Sequence, residues 1–169
     1  MRISKNGGAA AGASLPGNVQ EDCHENIRRI VEYWTAIRPC GGLPGRQHFD
    51  PLAVPELLPN IRLLDVSGAP PRFRVRLMGT RLRDYFGIEQ TGRWLDEIFP
   101  KFGESQTRAE LIKTIETRVP RWRLGKPALE FDKNFLDMER VYLPFARDGE
   151  RVDMILTYLM CITQDGVYS

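Results

Sequence analysis

The chain has 169 residues, enough for one domain with length to spare. At 42% hydrophobic and 27% charged it has the balance of an ordinary globular protein, which excludes a wholly disordered or low-complexity chain. A net charge of +2 is too small to point to a nucleic-acid or membrane partner, and no apolar run approaches the ~18 residues that span a bilayer.

Residues 1–19 are mostly Gly, Ala, Ser and Asn with little to bury, and read as a disordered tail without the apolar segment of a signal peptide. The three cysteines, Cys23, Cys40 and Cys161, are scattered, which fits a reducing compartment and a cytoplasmic location. Residues 20–42 hold an amphipathic helix and a linker. Asp22 reads as its N-cap, with Glu25 as capping-box partner. Ile27, Ile30, Val31 and Trp34 share a stripe that must pack on a sheet, on a second copy of the helix, or on both. They are the candidates for helix packing or a homodimer.

Residues 43–165 read as the main domain. Asp50-Pro51 starts a short helix hemmed in by Pro55 and Pro59. Asn60 to Val66 and Arg72 to Leu77 read as a hairpin, the second strand placing Phe73, Val75 and Leu77 on one face and Arg72, Arg74 and Arg76 on the other. At Thr80, an expected N-cap, the period becomes helical. Gly87 ends that helix, and a second short one runs from Trp94 to Phe99 before Pro100. A longer helix spans Glu104 to Arg118. Strands follow over Arg121 to Phe131, Glu139 to Ala146 and Val152 to Ile162, the last apolar on both faces and therefore central. The fold class expected is α+β: a five-stranded antiparallel sheet with short helices on one face and the N-terminal helix on the other, the last strand lying beside the first.

That order, and the segments Leu43-Pro44-Gly45-Arg46, Phe49-Asp50-Pro51, Asn60-Ile61, Phe73 to Thr80, Gly87 to Gly92 and Tyr142-Leu143-Pro144, resemble the PAS domains of signalling proteins. The closer resemblance is to stand-alone bacterial PAS-like proteins best known from alphaproteobacteria. It implies a sensory or interaction module that binds a small molecule, a protein signalling partner or both, often as a dimer. With no output domain visible in the sequence, the output is expected to lie in a partner.

Short helices folded over a sheet enclose an apolar chamber. Phe73, Val75, Met78, Tyr85, Trp94 and Phe99 are candidates to line it, with Ile115, Tyr142 and Tyr158 opposite; the sequence favours the same side chains simply filling a solid core, since core and chamber share their walls in so small a domain. Arg81, beside two helix starts, is the candidate anion contact. The cofactor is left unknown: His24 and His48 lie where no haem ligand is expected, and the Asn-Cys-Arg motif of photoactive flavin sensors is absent. No nucleophile elbow, metal-type histidine spacing or phosphate loop argues for catalysis. Two alternatives remain: a cone-shaped α+β enzyme of isomerase or hydratase type, whose helices would precede the sheet, and nucleic-acid binding by the Arg72 to Arg76 strand face.

Overall fold

The computed structural model of the protein describes residues 14–127, 137–163 and 165–166. Five strands, β1 (Ile61–Ser67), β2 (Arg72–Met78), β3 (Arg121–Gly125), β4 (Asp137–Phe145) and β5 (Met154–Ile162), form one antiparallel sheet in the order β2-β1-β5-β4-β3. The last strand thus lies in the middle beside the first, as its apolar character on both faces requires. Helix α1 (Glu25–Ala36) precedes the sheet, and α2 (Thr80–Phe86), α3 (Leu95–Ile98) and α4 (Gln106–Thr117) fall between β2 and β3.

Register fixes which side chains share a face, because directly paired residues point the same way. Arg62, Thr157, Tyr142 and Arg121 are successive partners across β1, β5, β4 and β3, and define the inner face under α2, α3 and α4. Ile61, Tyr158, Val141 and Trp122 are the equivalent row on the outer face.

Helix α1 covers the outer face. Ile27, Ile30, Val31 and Trp34 are buried within the chain, and the Trp34 indole donates to the Pro144 carbonyl at 2.9 Å. These four side chains are spent on intrachain packing, so a second copy of the chain would have to meet some other surface. Buried Glu139 accepts two bonds through Oε1, each 2.9 Å, from the His24 backbone N–H at the start of α1 and from the Trp122 indole. A carboxylate at a helix N-terminus is favoured by both the free N–H groups and the helix dipole.

Several boundaries differ from the expectations, each for a local reason. The N-cap of α1 is His24, whose Nδ1 accepts from the Asn26 N–H at 3.1 Å, not Asp22. Gly79, not Thr80, caps α2; its N–H donates to the Ile61 carbonyl at 2.8 Å, and a Cβ there would stand 2.3 Å from the Pro59 oxygen, so only glycine fits. The Asp50-Pro51 start signal yields two 3-10 turns, Pro51–Ala53 and Pro55–Asn60. The predicted tail ends earlier than residue 19. Asn18 bonds both backbone groups of Trp122, at 2.9 and 2.6 Å, and Val19 is buried. Residues 1–13 of that tail, and residues 128–131 of the strand expected over Arg121 to Phe131, lie outside the described residues.

The largest departure is in β2. Leu63 pairs with Leu77 but Leu64 pairs with Val75, so Arg76 is an extra residue, a β-bulge. A one-residue insertion inverts the alternation beyond it. Phe73 and Val75 stay inside, while Leu77 turns to the outer side and is 46% exposed.

Candidate functional site

The inner face does not carry a single apolar core. One cluster of buried side chains includes Leu64, Phe73, Val75, Phe99, Phe102, Tyr142 and Ile155. A second, smaller one joins Leu82 and Tyr85 of α2 to Met138, Leu159 and Cys161 of the sheet. Only the half-buried Met78 and Phe86 pack against both.

Between the clusters runs a polar seam. Arg62 is 1% exposed; one Nη donates to the Gln90 Oε1 at 3.2 Å, and its guanidinium lies 5.7 Å from the centre of the Phe86 ring. Gln90, in the loop between α2 and α3, and Thr157, directly opposite Arg62 on β5, are both fully buried. Arg140, 2% exposed, pairs with Leu159 one step further along the same face. Among the described residues its Nη atoms reach only backbone carbonyls, those of Gly125, Met138 and Lys126, at 3.2 to 3.5 Å. Among the described residues, Arg62 Nε, Gln90 Nε2, Thr157 Oγ1, Arg140 Nε and Arg123 Nη1 are buried without a hydrogen-bond partner.

The electrostatics match. Burial pushes the Arg62 guanidinium down to about 10, opposed weakly by Tyr142. Arg123 is lowered too, by burial and then by the like charge of Arg140. Burial, followed by a hydrogen bond with Cys161, raises the Tyr85 phenol. The two carboxylates buried among the described residues are already committed. Glu110 takes Arg121 at 3.0 Å and Gln106 at 3.1 Å, and Glu139 is held on the outer face. Desolvated cations without counter-charge are costly unless something else completes them.

The sequence-predicted residues divide across this frame. Phe73, Val75, Tyr142, Tyr85 and Phe99 lie on or over the inner face; Phe73 meets Phe102 edge-on at 5.9 Å and Phe99 meets Phe86 at 6.4 Å. Met78 bridges the clusters, and Ile115 of α4 is half-buried against the larger one. Tyr158 does not line the chamber. Its register with Ile61 turns it to the outer face, where burial pushes its phenol up to about 12 against a hydrogen bond with Asn26. Trp94 is also elsewhere: it bridges Arg74 at the sheet edge, and its ring lies 4.2 Å beneath the Arg72 guanidinium. Arg81 is exposed, with Nη1 3.3 Å from the Asn60 Oδ1. Reasoning from sequence passed over Arg62, Gln90, Arg140 and Thr157. The available signal was Arg62 itself, a cation inside the run Ile61-Arg62-Leu63-Leu64 on a strand neighbouring the central one.

The remaining charged and histidine candidates are bonded locally. Arg72 forms a two-pronged pair with Asp96, Arg74 donates to the Gly92 carbonyl, and Arg76 pairs with Asp65 at 2.7 Å. His24 caps α1, and His48 Nδ1 accepts from the Gly45 N–H at 2.9 Å, so both stand away from the seam. The outer side also has a groove of about 320 Å³ whose lining includes Phe49, Leu58, Ile61, Leu63 and Leu77.

An antiparallel sheet in this strand order, with short helices across one face, defines a small α+β module with one helix-covered face. The model of the PAS domain family matches residues 23–160, most of the chain, with β1 to β4 whole and β5 as far as Met160, and the chain belongs to that family. No curated protein matches it. Among the described residues no helix is long and apolar enough to cross a membrane. Membership supports a general role in sensing and signalling.

Proposed function

We propose that the protein is a PAS sensory module that takes a small molecule onto its inner face and passes the resulting change to a protein partner, a second copy of the chain included. The observation that carries this reading is the polar seam: five buried hydrogen-bonding atoms without a partner among the described residues, set between two apolar clusters. A solid core satisfies its polar groups, whereas a binding site keeps a few convergent ones for its ligand. Helix α2, two turns ended by Gly87 in the left-handed conformation, is the element that a ligand would press on. The resemblance to stand-alone bacterial PAS proteins supports a cytoplasmic sensor of this kind, and nothing in the seam has the nucleophile and base of a catalytic site.

Native mass spectrometry of the purified chain, compared with its denatured mass, tests the reading. The expected result is an added mass per subunit that disappears on denaturation. A bare mass, with no rise in melting temperature across a library of cell metabolites, would remove the small-molecule part and leave protein contact as the role.

A further inference from the structure

The donors of the seam say what class of molecule belongs there. Arg62 Nε, Arg140 Nε, Arg123 Nη1 and Gln90 Nε2 can only donate, and the Thr157 hydroxyl can donate as well as accept. What the site lacks is therefore an acceptor. Two of its cations also go without a counter-charge among the described residues: Arg62 and Arg140 are both at least 98% buried, and neither has a carboxylate partner there. A water molecule could accept one of these bonds but would neutralise nothing. The seam is bounded by Phe86 and Tyr142 as well as by aliphatic side chains, so the rest of the occupant must be apolar.

Resting on the sensor reading above, we infer that the ligand is a small carboxylate with an apolar body, its carboxylate received by Arg62, Gln90 and Thr157. The guanidinium of Arg62 is already oriented by the Gln90 oxygen and the Phe86 ring, so it meets the carboxylate without first losing side-chain freedom. Arg140, further along the same face, adds positive potential without direct contact.

Two matched pairs of probes separate charge from shape: phenylacetate with phenylacetamide, and hexanoate with hexanamide. Each is titrated into the full chain, cleared of any co-purified molecule, and followed by melting temperature and calorimetry. The carboxylates should raise the melting temperature and the amides should not. Arg62→Met should weaken carboxylate binding by roughly tenfold to a hundredfold, the worth of a hydrogen bond to a charged group. Arg151→Met, at an exposed arginine in the turn between β4 and β5, should leave it unchanged. If Arg62→Met does not fold, Gln90→Leu serves in its place, with a smaller loss expected. Equal stabilisation by acids and amides, or carboxylate binding that survives Arg62→Met, would overturn the inference. So would a neutral molecule released from the native protein, though that result would leave the sensor reading standing. No response to any probe, together with a bare native mass, would overturn both.

Discussion

Glu139 and Arg62 are two buried charges that the chain treats in opposite ways. Glu139 takes two donors on Oε1, from the start of α1 and from Trp122, so it joins β3, β4 and α1. Glu139→Ala would strand two donors and should cost about 2–4 kcal/mol in urea unfolding. Glu139→Gln keeps an acceptor oxygen and should cost less. Arg62, by contrast, is held by one amide oxygen and the face of a ring. A residue kept only for stability would resemble Glu139, and Arg62 does not. Neither partnership was legible in the sequence, because both depend on residues brought together from distant segments: 115 positions separate His24 from Glu139, and 28 separate Arg62 from Gln90.

At the scale of elements, β2 tests the account of the two faces. Strict alternation puts Phe73, Val75 and Leu77 together, but the bulge at Arg76 parts Leu77 from the others. Phe73→Ala should cost about 3–5 kcal/mol, as for other large buried aromatics. Leu77→Ala should cost less than about 1 kcal/mol, and the midpoints of urea unfolding will show the contrast. If the two losses were equal, Leu77 would be a core residue and the bulge would be misplaced. The strands and their order were readable because alternation and a two-faced apolar strand are properties of short sequence windows. The bulge was not, since an insertion in a strand pair is defined by both partners. The same limit misplaced Tyr158, whose side of the sheet follows from its pairing with Ile61, and Trp94, whose ring is drawn to the sheet edge by Arg72 and Arg74.

For the molecule as a whole, the sheet separates two kinds of interior. On the outer side, α1 closes over Val141, Leu143 and Tyr158 with its polar tips satisfied. On the inner side, three short or medium helices close over a face that stays divided by unpartnered donors. Central strand β5 belongs to both, with Thr157 facing the seam and Tyr158 facing α1. A molecule that engages Thr157 therefore acts one residue from the packing of α1, a direct route from ligand to outer surface. That helices would cover one face of the sheet was legible from the run of short helices after β2. The chemistry of that face was not, because the arginines that define it sit on strands whose inward side only the pairing reveals.

The most direct test of the central claim is a high-resolution crystal structure of the protein as purified, read at the seam. The account predicts a bound molecule whose acceptor atoms lie about 2.7–3.1 Å from Arg62 Nε and Gln90 Nε2, between the two apolar clusters. Ordered waters or side chains of the chain itself completing those donors, with the clusters closed together, would contradict it.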